Sequence, residues 1–172
     1  MADEKVEFTN VESIRAEALG EPGQRTFRIL VDGEVGSAMM WLEKEQLFQL
    51  AVAINQLQTS LPDLGRSRPP SEGGEGAASQ IEFKVGRLVL GHEGSSERLI
   101  IDAHDVESGE EEQEPTVRVW GERQQLARFA AESLELCAAG RPLCPLCGGP
   151  MDPAGHACPR SNGHALQDLT DL

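Results

Sequence analysis

The sequence contains no tyrosine, and aromatic residues make up only 4% of its 172 residues. This scarcity excludes a core built around aromatic clusters, but the hydrophobic fraction of 39% is sufficient for one compact domain with appendages. The core must therefore consist mainly of leucine, isoleucine, valine and alanine. We expect Trp41 and Trp120 to anchor it together with the few phenylalanines.

Basic residues are also scarce, because 15 lysines and arginines face 29 aspartates and glutamates and leave a net charge of −14. Nucleic-acid binding depends on neutralising phosphates with basic side chains, and anionic membrane surfaces attract the same groups. The composition therefore predicts no nucleic-acid partner. The expected partners are proteins, and the chain is predicted to be a monomer or a weak oligomer.

No apolar run is long enough to cross a bilayer, and the first five residues lack the basic and apolar regions of a signal peptide. We therefore expect no membrane insertion and a cytoplasmic location. In a reducing compartment, four cysteines at the spacing found here are predicted to be metal ligands rather than disulfide partners.

An internal repeat is the clearest feature that is present. Residues 41–51 align with residues 120–130, and Trp, Glu, Gln, Leu and Ala recur in register. Upstream, residues 6–8 match residues 81–83, and residues 25–29 match residues 97–101. The same order of segments in both parts indicates one supersecondary unit used twice.

Each unit is predicted to contain several strands followed by a helix, which gives an α+β fold of two antiparallel units packed as a pseudo-symmetric domain. In the first unit, strands near 27–31 and 35–41 flank Asp32-Gly33, a pair that favours a type I′ hairpin turn. In the second unit, strands are expected near 81–85, 87–92, 98–106 and 116–120. Apolar residues at helical spacing define the buried faces of the two helices: Leu47, Leu50, Ala51, Ile54, Leu57 and Leu61, then Leu126, Phe129, Ala130, Ser133, Leu134 and Cys137.

Composition divides the chain into four segments. Residues 1–62 form the first unit and residues 80–140 the second, while residues 63–79, rich in Gly, Pro and Ser, are predicted to be a flexible linker. Residues 141–172 form a tail. A unit of this size buries too little surface to be stable alone, so the two units are expected to share one core.

The tail contains a Cys-x-x-Cys-Gly sequence formed by Cys144, Cys147 and Gly148, followed by Cys158. A knuckle of this kind presents two thiolates to a metal, and structural zinc requires four thiolate or imidazole ligands in a tetrahedron. The sequence therefore predicts a small zinc-ribbon-like tail holding one structural zinc. A redox role is less consistent with the prolines and glycines around the pair, because redox Cys-x-x-Cys motifs begin a helix.

The fourth zinc ligand is less clear from the spacing, because Ser161 stands where a ribbon would repeat Cys-x-x-Cys. His156 and His164 are the alternatives. His156 lies two residues before Cys158, so in an extended segment both side chains point to the same side. We therefore predict Cys144, Cys147, His156 and Cys158 as the ligands.

A second polar group consists of Asp102, His104 and Asp105 on one predicted strand, with His92 placed across a hairpin. These residues could form an acid–base or metal site, although a solvated sheet face is the commoner outcome for such patterns. No nucleophile elbow, phosphate-binding loop or dinucleotide fingerprint is present. The sequence thus favours a binding or adaptor protein; an enzyme that uses the His92, Asp102 and His104 face, or an open zinc position, is the alternative.

Several segments together resemble a protein family. They are residues 20–27, 42–46 and 101–104, and the ending Cys-Pro-Leu-Cys-Gly … Asp-Pro-x-Gly-His-x-Cys-Pro-Arg-x-Asn-Gly over residues 144–163. In this order they are similar to an uncharacterised bacterial repeat-protein family that is best represented in actinobacteria. The resemblance implies an intracellular protein of unassigned activity. The family ending often lacks a histidine at position 164, which favours His156 as the ligand.

Overall fold

The computed structural model describes residues 5–21, 23–61, 79–94, 98–111, 113–139 and 146–147. Its elements follow the predicted order of strands and then a helix, twice, and the predicted α+β class is confirmed. The strands are β1 (Val6–Phe8), β2 (Val11–Leu19), β3 (Thr26–Gly33), β4 (Gly36–Leu42), β5 (Ser79–His92), β6 (Arg98–Asp105) and β7 (Val117–Glu122). The helices are α1 (Lys44–Ser60) and α2 (Arg123–Ala138).

The seven strands form one sheet in the order β1-β7-β6-β5-β4-β3-β2. The β1–β7 and β4–β5 pairs are parallel, and the other neighbours are antiparallel. Strand β5 takes part twice, because residues 79–84 pair with β4 and the residues from Val85 to His92 pair with β6. We call β2, β3, β4 and residues 79–84 the first half-sheet, and residues 85–92, β6, β7 and β1 the second half-sheet.

This topology exchanges strands between the two parts of the chain. Strand β1 belongs to the first part but pairs with β7 of the second, and the start of β5 pairs with β4 of the first. Each half-sheet is therefore completed by the other part of the chain. The exchange joins both parts of the chain into one sheet.

The two helices pack against each other and bury the faces that the sequence predicts. Gln58 Nε2 donates to the carbonyl of Arg123 at 3.0 Å, and Arg123 Nη2 donates to the carbonyl of Gln58 at 3.0 Å. The buried helical residues are Leu47, Leu50, Ala51 and Ile54 in α1, and Leu126, Phe129, Ala130, Ser133 and Cys137 in α2. They join the inward-facing strand residues in one core.

The β3–β4 hairpin corrects the turn prediction. Gly33 pairs with Gly36, so the turn residues are Glu34 and Val35 rather than Asp32 and Gly33. The glycines are required by close approaches instead. A Cβ on Gly33 would lie 2.6 Å from the carbonyl oxygen of Asn10, and one on Gly36 would lie 1.9 Å from that of Ser79. Gly36 also has a φ of 131°, which favours glycine.

The prediction that the tryptophans anchor the core is also wrong. Trp41 and Trp120 are half-buried and lie on the outer face, because side chains alternate along a strand and Met40 and Leu42 point inward beside Trp41. Each indole N–H donates to a carboxylate on the exchanged strand. Trp41 Nε1 lies 2.7 Å from Glu82 Oε1, and Trp120 Nε1 lies 2.6 Å from Glu7 Oε1.

The remaining segment predictions fall mostly outside the described residues. Residues 63–78 of the predicted linker are not described, and β5 begins at Ser79. Of the predicted tail, only residues 146 and 147 are described. Among the described helices, neither is long and apolar enough to span a membrane.

Candidate functional site

The predicted zinc ligands lie largely outside the described part of the chain. Cys144, His156, Cys158 and the alternative His164 are not described, and Cys147 is half-buried. Within the described ranges, no group of three or more His, Cys, Asp or Glu side chains could hold a metal ion.

The polar group predicted around His104 is not assembled as proposed. The β5–β6 register places His92 opposite the buried Leu99, and it places Arg87 opposite His104. Because side chains alternate along β6, Asp102 and His104 lie on the face opposite to that of Leu99. His92 is therefore separated from Asp102 and His104 by the sheet itself.

Asp102 binds an arginine on the neighbouring strand. Arg118 Nε and Nη2 donate to its two carboxylate oxygens at 2.7 and 2.8 Å. The hydrogen bonds from Arg118 to Asp102 raise the pKa of the arginine above its ordinary value, against the opposing effect of burial. A carboxylate held by a bidentate arginine contributes to cross-strand stability, and both oxygens of Asp102 are engaged in this contact.

The strand β5 changes partner at a corner formed by Val85, Gly86 and Arg87. The register with β6 shifts between Val85 and Arg87, and a Cβ on Gly86 would lie 2.8 Å from the Cα of Val106. An isolated glycine in a strand is typical of such a bulge. The α1 residue Gln46 fixes the corner, because its Nε2 donates to the carbonyl of Val85 at 3.2 Å.

His104 borders a cavity beside this corner. The side chain is 5% exposed, and Arg87 Nη2 lies 3.3 Å from both ring nitrogens, so that the guanidinium faces the imidazole. The cavity measures about 540 Å³. Its lining residues are Gly86, Arg87, His104, Asp105, Val106, Ser108, Gly109 and Glu110.

The loop that follows β6 forms one wall of this cavity and is held by its own backbone. The N–H of Asp105 donates to Thr116 Oγ1 at 3.0 Å, and the N–H of Glu107 donates to Asp105 Oδ1 at 2.9 Å. Val106 N–H donates to the carbonyl of Lys84 at 2.8 Å. The cavity wall is therefore tied to Thr116, just before β7, and to Lys84, just before the corner of β5.

A second cavity lies between α1 and β5, on the other side of Arg87. It measures about 430 Å³. Its lining residues are Glu45, Gln46, Gln49, Leu50 and Ala53 of α1, and Gly86, Arg87, Leu88 and Leu90 of β5. Since Gly86 and Arg87 line both cavities, the two meet at the corner.

The outer face of the first half-sheet carries a further cavity of about 540 Å³, and its polar groups are engaged with one another. Arg28 donates to Glu17 Oε2 through Nε at 2.8 Å and Nη2 at 2.6 Å, and its guanidinium carbon lies 5.3 Å from the Trp41 ring centroid. The hydrogen bond from Arg28 lowers the pKa of Glu17 below its ordinary value. In the second half-sheet, Arg98 lies 4.9 Å from the Trp120 ring centroid.

The sequence interpretation divided residues 81–85 and 87–92 into two strands, whereas the structure has the single bent strand β5, and it missed Arg87 as a site residue. The signal was Gly86 inside an otherwise alternating strand, which is the pattern of a bulge that redirects a side chain. It also missed the carboxylates that receive the indole N–H groups, although Glu7 and Glu82 occupy matching positions in the aligned segments 6–8 and 81–83.

Comparison with known proteins places the chain in a family. A family described as a protein of unknown function (DUF3090) matches residues 6–158. The chain belongs to this family. The match includes both parts of the fold and all four predicted zinc ligands, whereas His164 lies beyond it. No curated protein and no solved structure matches this DUF3090 chain.

Proposed function

We propose that this DUF3090 protein is an intracellular binding or adaptor module whose ligand occupies the two cavities that meet at Arg87. The observation that carries the proposal is the corner itself. A strand that changes partners there leaves concave space on both sides of one charged side chain, and each space is of the size that ligand sites have in proteins.

The two cavities differ in chemistry, which suits recognition of an extended or amphipathic ligand. The α1 side offers apolar surface from Leu50, Leu88 and Leu90 with glutamine amides at its rim. The β6 side offers the imidazole of His104 and the carboxylates of Asp105 and Glu110. Apolar walls with a few placed polar groups are typical of binding sites.

A catalytic role is the second candidate, and the cavity that converges on His104 is the observation that favours it. A nearly buried imidazole beside a guanidinium could move a proton. The arrangement supports this role less than binding, because Asp102 is held by Arg118 and His92 faces the other side of the sheet.

For the tail, we propose one structural zinc held by Cys144, Cys147, His156 and Cys158. The support is the spacing of the thiols, together with the family match that includes His156 and ends before His164. In this proposal the metal orders the tail and takes no part in ligand binding at the corner.

The binding proposal is tested by site-specific photocrosslinking in the native host. A diazirine-bearing lysine replaces Arg87 in one sample and Arg15, which lines the cavity on the outer face of the first half-sheet, in the other. We expect a defined adduct from position 87 and none from position 15. Equal adducts from both positions, an adduct from position 15 alone, or no adduct from either position would contradict the proposed site.

A further inference from the structure

We infer that the cavity between α1 and β5 binds an extended peptide in which basic and apolar residues alternate, added as a strand beside β5. We call this cavity the edge groove, and its lining residues are the α1 and β5 residues given above for the cavity of about 430 Å³. The inference rests on the proposed function and names the class of its partner.

Beyond the corner, one edge of β5 has no partner strand within the described part of the chain. After the corner, one edge of β5 pairs with β6, and β4 pairs only with residues 79–84. Among the described strands, none continues the pairing on the other edge beside residues 88–90. An exposed strand edge offers N–H and C=O groups to a second chain, which is how peptides are bound by strand addition.

The matching space in the other part of the chain, between α2 and β2, is filled. In the alignment of the two helices, Phe129 of α2 matches Leu50 of α1, and the strand registers match Ile14 of β2 with Leu88 of β5. There α2 packs against β2, and Phe129 and Ile14 are buried. Leu88 and Leu90 remain half-exposed. The space that Phe129 fills between α2 and β2 therefore stays open between α1 and β5, because Leu50 is smaller.

The edge groove has the length of a short extended peptide. The α1 residues that line the edge groove run from Glu45 to Ala53, which spans about 12 Å at the helical rise per residue. The β5 residues run from Gly86 to Leu90, which spans roughly 13 Å in extended conformation. The groove therefore accommodates about four residues of an extended peptide, of which alternate side chains face Leu50 and Leu88.

The charges in and around the edge groove bear on the kind of partner it binds. Within the described lining of the edge groove, the carboxylate of Glu45 and the guanidinium of Arg87 balance each other, and the neighbouring β6-side cavity adds the carboxylates of Asp105 and Glu110. The whole chain carries a net charge of −14. Attraction of a basic partner, and repulsion of acidic ones, therefore comes from the net charge of the chain and from the carboxylates beside the groove.

The test uses the full chain and end-blocked hexapeptides, titrated by calorimetry. We expect (Lys-Val)₃ to bind and (Glu-Val)₃ not to bind. Lys₃Val₃, with the same charge but no alternation, should bind at least tenfold more weakly, and so should (Lys-Val)₃ methylated at every main-chain nitrogen, which cannot donate main-chain hydrogen bonds. Absence of (Lys-Val)₃ binding, or equal affinity for any of these controls, would overturn the inference.

Variants then locate the binding. Leu50→Phe, which copies the filled state of α2, and Ala53→Leu should each weaken (Lys-Val)₃ binding at least tenfold, while the far-UV circular dichroism spectrum of each variant matches that of the wild type. Phe48→Ser is the matched control, because Phe48 is exposed on α1 but does not line the groove. Equal affinity of both groove variants and the wild type would overturn the assignment. If the peptides fail while position 87 still crosslinks, the binding module stands and only its peptide ligand is wrong.

Discussion

The two parts of the chain, residues 5–61 and 79–139, contain the same elements in the same order. They differ in how the chain passes from one half-sheet to the other. In the first part, Thr9 and Asn10 separate β1 from β2. In the second, β5 runs through without interruption and bends at Gly86. The difference shows that the crossing can be made by two strands or by one, and that two cavities meet at the bend of the continuous strand.

The residues that both parts share hold the exchanged strands. Trp41 and Trp120 each donate to a glutamate on the strand contributed by the other part. Gln46 and Gln125, which match in the alignment, donate to the carbonyls of Val85 and Val11, where the strands cross. Shared residues therefore maintain the architecture, and positions that differ, such as Leu50 and Phe129, decide where a groove forms.

The largest expected effect concerns the tail, which follows α2 and has no counterpart after α1. Cys144→Ser and Cys158→Ser should each abolish stoichiometric zinc, because zinc contributes about 10–16 kcal/mol of folding energy in small zinc peptides. The melting temperature of the shared core should change little. Metal analysis by mass spectrometry and thermal unfolding measure the two effects.

The two candidate histidine ligands, His156 and His164, are tested in the same way. His156→Ala should weaken zinc binding and His164→Ala should leave it unchanged. The reverse order would show that the ligand assignment is wrong, and a wild-type protein purified without chelator under reducing conditions that holds no metal would refute the zinc proposal.

The next effect tests whether the two parts share one core. Leu47 and Leu126 match in the alignment and are both fully buried. Leu47→Ala and Leu126→Ala should each reduce the free energy of unfolding by about 2–5 kcal/mol through lost contacts and a residual cavity. Unfolding should remain a single transition in both, monitored by circular dichroism and by calorimetry. Gln124→Ala on the exposed side of α2 is the control. Two separate transitions would show that the parts are independent.

A smaller effect is expected from the indole hydrogen bonds. Trp41→Phe and Trp120→Phe should each cost about 1–2 kcal/mol, because each removes a hydrogen bond to a carboxylate. Double-mutant cycles with Glu82→Ala and Glu7→Ala isolate the coupling between each indole and its partner. Similar coupling energies in both parts would support equivalent roles, whereas coupling in only one part would contradict them.

The smallest effect is the pH dependence that comes from the Arg28–Glu17 contact of the first half-sheet. The hydrogen bond from Arg28 lowers the pKa of Glu17. A carboxyl group whose pKa is lowered on folding stabilises the folded state fully above its ordinary pKa of 4.5, and this contribution is lost as the pH falls through the lowered folded-state value. Gly91 and Ile100 occupy the matching positions in the second half-sheet, so no such pair exists between them.

Carboxyl NMR titration measures this effect directly. Arg28→Gln should raise the pKa of Glu17 toward its ordinary value, and Arg118→Gln, which removes a charge from the other half-sheet, should leave it unchanged. An equal rise in both variants would mean that long-range charge rather than the Arg28 contact lowers the pKa.

Local periodicity was enough to predict the α+β class and the positions of most elements. The buried face of α1 follows from the spacing of Leu47, Leu50, Ala51 and Ile54, because residues three and four apart share one side of a helix. The same reasoning located β4 and β6, which were predicted near residues 35–41 and 98–106. These features depend on neighbours in the chain, and so the sequence by itself determines them.

The tertiary structure alone decided the strand exchange, the outward position of the tryptophans and the corner at Arg87. Each depends on segments far apart in sequence: Trp41 faces outward with Glu82 on an exchanged strand as its partner, and Gly36 is a glycine because Ser79 approaches it. The residue pattern shows which side of a strand is buried but not which strand lies next to it. Pairing is set by the packing of the whole sheet, and the groove beside β5 exists because that packing leaves one edge of a continuous strand open.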